Sequence, residues 1–191
     1  PAGGAGDGGR RAVREFKGRP VERVRLDGGA GLTAAVLSWG GVLQSLELDV
    51  AGDRRPLVLG FAEFAPYPAR SPYFGATVGR YGNRIGGAAF TLAGRTHRLD
   101  PNERGRNHLH GGIAGWGRQL WRIEAVDAAS VTLGLTSPDG EMGYPGKVEA
   151  RCRYAVEGRC LVVEMSATTT AATPVNMVHH SYWNLDGEGT V

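Results

Sequence analysis

An all-β fold, most simply an antiparallel sandwich, is what the chain predicts, and three observations predict it. Apolar side chains recur at every second position through several short segments, as half-buried strands require. The links between those segments carry turn chemistry. Thirty-one glycines and ten prolines in 191 residues leave room for few helical stretches. A hydrophobic share of 41% against 21% charged is the balance of a globular chain, and the length suits one domain.

The elements follow in order. Residues 1–9 hold five glycines and no large apolar side chain, so they cannot bury enough surface to offset the entropy of ordering. With the arginines that follow, residues 1–20 read as a flexible Gly/Arg-rich leader and residues 21–191 as the sandwich. From Val21 onward the apolar period is two. Between Val42 and Val50, Leu46, Leu48 and Val50 share one face, with Glu47 and Asp49 on the other. Val148, Ala150, Cys152, Tyr154 and Val156 alternate with Lys147, Glu149, Arg151 and Arg153 more cleanly still. Shorter strands are expected at Phe90–Leu92, Trp121–Val126, Val131–Thr136 and Leu161–Ala167. Ala93-Gly94, Pro138-Asp139-Gly140 and Glu157-Gly158 supply the turns. A two-residue loop at Glu157-Gly158 pairs Ala155 with Cys160 and leaves Cys152 out of phase, so no disulfide is expected. Both thiols read as free and mostly buried, without metal-ligand spacing.

Charge narrows the partners. Residues 1–25 carry a net +4 of the chain's +3, so the rest comes to −1 and offers no basic face to a nucleic-acid backbone. Twenty arginines against two lysines raise the pI to about 9.1 but are otherwise scattered among acids. No apolar run reaches the roughly 18 residues that a membrane span needs. A cytoplasmic location is the expectation, with export after loss of a signal left open.

Three polar, glycine-bearing clusters stand out. Gly79-Arg80-Tyr81-Gly82-Asn83-Arg84-Ile85 offers a rigid guanidinium fork at Arg84 and a mixed donor and acceptor at Asn83, although a loop-stabilising arginine explains the same pattern. Asn107-His108-Leu109-His110-Gly111-Gly112 sets His108 and His110 on one face of a strand, with glycines that let backbone approach a ligand. A cupin-like metal pair would want a glutamate four or five residues on, where Ala114 and Gly115 stand, so no metal is expected. Pro174 to Leu185 combines His180, a possible acid or base, with Tyr182 and Trp183, whose rings can stack on a sugar, and with the amides of Asn176 and Asn184. His179 and His180 must point to opposite faces. The three clusters together suit a cleft for a neutral, hydroxyl-rich ligand.

These residues carry a resemblance. Pro72-Tyr73-Phe74-Gly75-Ala76-Thr77-Val78-Gly79-Arg80-Tyr81-Gly82-Asn83-Arg84-Ile85, Leu109-His110-Gly111-Gly112, Ser137 to Gly146, Thr173-Pro174-Val175-Asn176 and His180-Ser181-Tyr182-Trp183-Asn184-Leu185 resemble, in order and spacing, the aldose 1-epimerase (galactose mutarotase) family. The resemblance implies that family's large antiparallel supersandwich and interconversion of the α and β anomers of a free aldohexose, glucose or galactose, without metal or organic cofactor. It implies that His180 is the general acid at the ring oxygen and that His110 assists on that side. Asn83 and Arg84 match sugar-binding positions, with Tyr182 and Trp183 beside the ring. A glutamate takes the anomeric proton in the family, and none of the carboxylates present, Asp139, Glu141, Asp186 and Glu188 among them, lies in a matching motif; Glu141 reads as part of a turn. The base is therefore expected in a missing C-terminal half, and the sandwich is expected to be truncated. His179 stands where the family usually has asparagine and Trp183 where it has phenylalanine. A non-catalytic sugar-binding or sensing domain of the same fold is the alternative; an enzyme of phosphorylated hexoses would want a further basic cluster at the rim. Oligomeric state is not specified by these residues.

Overall fold

The computed structural model describes residues 9–186. Strands β1 (Arg11–Phe16), β2 (Arg19–Asp27), β3 (Leu32–Leu37), β4 (Val42–Val50) and β5 (Asp53–Pro56) form a five-stranded antiparallel sheet in sequence order. A one-turn helix, α1 (Tyr67–Arg70), precedes the short strands β6 (Ala76–Val78), β7 (Arg84–Ile85), β8 (Ala89–Leu92), β9 (Arg95–Arg98) and β10 (His108–Leu109). Then β11 (Arg122–Val126), β12 (Ser130–Ser137), β13 (Val148–Glu157) and β14 (Cys160–Thr169) make a four-stranded antiparallel sheet, and β15 (Val178–His180) returns to pair with β6.

The alternation read from the sequence is what packs the two large sheets together. Val24, Leu26, Ala34, Val36 and Leu46 of the first meet Val131, Leu133, Ala150, Cys152, Tyr154 and Val156 of the second in one buried cluster. Each fully buried aliphatic side chain favours this arrangement by about 1.5–3 kcal/mol over exposure, which is why the β13 pattern is so regular. A second cluster lies on the outer face of the first sheet: Val21, Leu37, Trp39 and Val42 against Phe64, Tyr67, Ala76 and Val78. It binds β6, and through β6 the partner strand β15, to the sandwich.

Two expectations need correction here. Of the leader expected over residues 1–20, residues 1–8 lie outside the described residues, but 11–20 are β1 and the start of β2. Val13 and Phe16 pack on the second cluster, Phe16 edge-on to Trp39 and Phe64 at 6.1 and 6.3 Å. A bulge between Ala12 and Arg14 breaks the period of two and hides the strand from pattern reading. Near the cysteines, the β13–β14 turn is Gly158-Arg159, because Glu157 itself pairs with Cys160. Cys152 is buried and faces Met165 across the ladder, whereas Cys160 is exposed; both are free. Among the described residues no helix is long and apolar enough to cross a membrane.

Candidate functional site

Three chain segments meet at the end of the β6–β15 pair. On β15, the alternation expected of a strand sends His179 inward and His180 outward. The His179 ring is 5.7 Å from that of Tyr154, edge-on. The Tyr154 hydroxyl donates to the Gly41 carbonyl at 2.7 Å, so His179 Nδ1–H donates to the tyrosine oxygen at 3.3 Å and Nε2 is left to accept the Ser181 hydroxyl at 2.7 Å. Burial first, then the neighbouring His180, lower the His179 pKa to about 4. It is a neutral structural group.

His180 turns the other way, into a ring cluster. Its imidazole lies 4.9 Å from that of His110, edge to face, 5.3 Å from Tyr182 in a stack and 5.8 Å from Tyr73. Tyr73 also lies 4.6 Å from His110, and the Arg118 guanidinium stands 5.4 Å from the Tyr73 ring centre. Tyr182 is held by its hydroxyl, which donates to the Pro72 carbonyl at 3.0 Å, and by an edge contact with Phe74 at 5.0 Å.

His110 reaches this cluster because the chain leaves β10 in a left-handed conformation, φ 51°. Asn83, also left-handed at φ 62°, receives it. The His110 backbone N–H donates to the Asn83 carbonyl at 3.0 Å, and the Asn83 backbone N–H donates to His110 Nδ1 at 3.0 Å. With Nδ1 an acceptor, the neutral ring carries its proton on Nε2. Burial, with help from His180 and Arg84, lowers the His110 pKa to about 4, so the ring is an uncharged N–H donor at neutral pH. The next residue is equally constrained: a Cβ on Gly111 (φ 82°) would lie 1.7 Å from the Gly79 carbonyl oxygen.

His108 and His110 therefore do not share a face, contrary to expectation. His108 is fully buried, its Nδ1–H donating to the Asp100 carbonyl at 2.8 Å and its ring edge-on to Tyr144 at 5.2 Å. The strand ends one residue before His110, and the backbone reversal sends the second imidazole elsewhere.

The arginines also divide. Arg80 is buried, and its guanidinium donates to the carbonyls of Pro145 and Gly146 at 2.9 Å each, to Ser137 Oγ at 2.6 Å and to Thr173 Oγ1 at 3.2 Å, tying its own loop to the β12–β13 connection and to the segment after β14. Arg84 is the half-exposed one. It donates through Nη1 to Asn83 Oδ1 at 3.3 Å and through Nε to both oxygens of Glu103 at 2.8–2.9 Å. Arg84 and Asn107 hold the Glu103 carboxyl down to about 2. Arg84 also lines a groove of about 610 Å³ with Tyr81, Ile85, Phe90, Leu92 and Pro174; neither imidazole of the half-buried His110–His180 pair is among its lining residues.

Of the residues expected at the site, Asn83, Arg84, His110, His180 and Tyr182 are brought together through these contacts. Trp183 is placed apart: it bridges Val58 and is 54% exposed, with no ring contact to the cluster among the described residues. Sequence reasoning did not single out Tyr73 or Glu103. Tyr73 stood within the quoted Pro72-Tyr73-Phe74 run, where an exposed-looking aromatic beside a turn was the signal. Nothing local marks Glu103, which sits in an ordinary charged turn. Glu141, expected in a turn, starts a short 3-10 segment and contacts Ser137 and Gln119.

The family model described as aldose 1-epimerase matches residues 22–191. Galactose mutarotase from Sus scrofa is 41% identical over 171 residues, which is 89% of this chain and 49% of that protein. Aldose 1-epimerase from Escherichia coli K12 is 35% identical over 173 residues, 90% of this chain and 50% of that protein. Among solved structures, a GalM/aldose epimerase homologue from C. elegans superposes with a TM-score of 0.83 at 30% identity, covering 88% of this chain and 52% of its own. Galactose 1-epimerase from Lactobacillus acidophilus gives 0.81 at 26% identity, with 92% and 52% covered. The chain thus spans about half the length of the curated relatives it matches. Matched from Glu22 through the histidine cluster to Val191, the chain belongs to the aldose 1-epimerase family.

Proposed function

We propose that residues 22–191 supply the acid and sugar-binding side of an epimerase site that interconverts the α and β anomers of a free aldohexose such as galactose or glucose. The observation that carries the reading is the imidazole pair, His110 and His180, 4.9 Å apart and flanked by Tyr73 and Tyr182, with Asn83 and Arg84 on its rim. An aromatic wall suits the apolar face of a pyranose, and amide and guanidinium groups suit its hydroxyls.

In this reading His180 gives a proton to the ring oxygen as the bond from that oxygen to the anomeric carbon breaks, the bonding pair staying on oxygen. The anomeric hydroxyl loses its proton to a base, and the carbonyl of the open-chain aldehyde forms. Rotation about the adjacent carbon bond and closure in reverse give the other anomer. His110, neutral and with its proton on Nε2, steadies the ring-oxygen side as a hydrogen-bond donor. Asn83 and Arg84 hold hydroxyls and Tyr182 stacks. Trp183 is kept at the margin, because its exposed position puts it outside the aromatic wall. The base is proposed to come from the part of the family's length that this chain does not span. A cytoplasmic location belongs to the same proposal, and cell fractionation checks it.

Polarimetry of freshly dissolved α-galactose tests the reading. A polypeptide of full family length carrying these residues accelerates mutarotation, and His180→Ala lowers that rate by about 10² or more. An unchanged rate in the variant removes His180 from the acid role. Saturable galactose binding with no acceleration by the full-length polypeptide would favour the sensing alternative.

A further inference from the structure

Glu103 and the groups that brace it have no part in the reaction just described, yet their grip on Arg84 is more tightly built than an ordinary surface ion pair. Glu103 N–H donates to the Asn107 carbonyl at 3.0 Å and Asn107 N–H donates back to the Glu103 carbonyl at 3.1 Å, closing the turn through Arg104 and Gly105. The Asn102 side chain straps the same loop to β10, accepting from Leu109 N–H at 2.8 Å and donating to the Leu109 carbonyl at 2.9 Å. Asn107 Nδ2 donates to the Glu103 carboxylate at 3.1 Å, and Gly87 N–H donates to Asn107 Oδ1 at 3.3 Å. The Glu103 side chain is only 17% exposed, whereas that of Arg84 is 53% exposed.

From this arrangement we propose that Glu103 is the positioning residue of the sugar site: its fixed carboxylate aims the Arg84 fork and offsets the Arg84 charge beside the His110–His180 pair. The inference rests on the reading of Arg84 as a hydroxyl-binding group.

Donor counting says what is left for a ligand. A guanidinium has five N–H donors. Glu103 takes one from Nε and one from Nη2, and Asn83 Oδ1 takes one from Nη1 in a long contact. Two remain, enough for a pair of neighbouring hydroxyls on a pyranose. Without the carboxylate the long side chain would spread over several rotamers and the ligand would have to order it. The second effect is electrostatic. The charged and titratable groups acting on His110 are His180 and Arg84, which lower its pKa, and Glu103, which raises it. Neutralising Glu103 therefore makes His110 harder to protonate.

The experiment uses the 191-residue chain and Glu103→Gln, which keeps the side-chain length and the ability to accept from Asn107. Three quantities are read by NMR: exchange protection of the Arg84 Nε–H, the midpoint of the His110 titration, and galactose affinity from titration shifts. The variant is expected to lose Nε–H protection, to move the His110 midpoint lower and to bind galactose about tenfold more weakly, as fits the loss of a charge-assisted pair. Arg54→Gln, which removes the exposed Arg54–Glu47 pair on the first sheet, is expected to change none of the three. A merely structural role would leave the His110 midpoint where it is. Wild-type protection, midpoint and affinity in Glu103→Gln would overturn the proposal for Glu103 alone. Failure of the wild-type chain to bind galactose, with the Nε–H and His110 responses intact, would instead overturn the assignment of Arg84 to sugar.

Discussion

At the scale of single residues, burial keeps two imidazoles uncharged, those of His110 and His179. His110 is locked as an Nε2–H donor by the Asn83 backbone, so galactose affinity is expected to be insensitive to pH from 7 down to about 5 as far as His110 is concerned. His110→Ala removes that donor and is expected to weaken binding about tenfold, read by NMR titration. The same shifts have a consequence for stability. His110 and His179 both have folded pKa values of about 4, below the ordinary imidazole value near 6.5. Between those limits the unfolded chain binds protons that the folded chain refuses, so stability is full above about pH 6.5 and falls as pH drops toward 4. Urea unfolding at pH 7 and pH 4.5 is expected to show the loss. His179→Asn, which removes the deeper of the two groups, is expected to recover on the order of 2 kcal/mol of the difference. An equal loss in that variant would mean that the His179 ring is not the group refusing the proton.

At the scale of elements, β13 was legible residue by residue because its inner face is apolar throughout and its outer face is charged at every position but Ala155. Two strands that pack on the second cluster, β1 and β6, were not. The β1 pattern is broken by its bulge, and the three-residue β6 is buried throughout, so neither shows a period of two. The same limit hid the difference between His108 and His110, since alternation says nothing about where a strand stops. A left-handed residue at its end reversed the direction of one imidazole. Gly111, expected to let backbone approach a ligand, lies instead against the Gly79 carbonyl, and Gly79 in turn faces the Trp116 ring. Gly111→Ala is expected to cost more than about 3 kcal/mol, because backbone faces it and its φ is left-handed. A thermal melt within a degree or two of wild type would show that this contact yields. Tyr154→Phe, which leaves the His179 Nδ1–H without its acceptor inside the sandwich and removes one of the two donors to the Gly41 carbonyl, the other being Thr77 Oγ1, is expected to cost about 1–3 kcal/mol.

At the scale of the whole molecule, β14 is the outermost strand of its sheet among the described residues, ten residues long and charged only at Glu164. Such an edge templates pairing with another strand. The 191-residue chain is expected to self-associate with rising concentration in sedimentation experiments, and Ser166→Lys to suppress it. The fold class was legible, and five of the six residues expected at the site lie near one another, because a family motif preserves spacing that folding then brings together. Glu103 was not, because a role defined by gripping another side chain leaves no pattern in one dimension. The central claim is that residues from three separated segments form one sugar-binding face. It is tested most directly by titrating galactose into this chain while following the His110 and His180 Cε1–H signals. The account predicts that both move along one saturation curve and that Arg84→Ala weakens both together. Signals that stay still at saturating galactose, or that follow two unrelated curves, would contradict it.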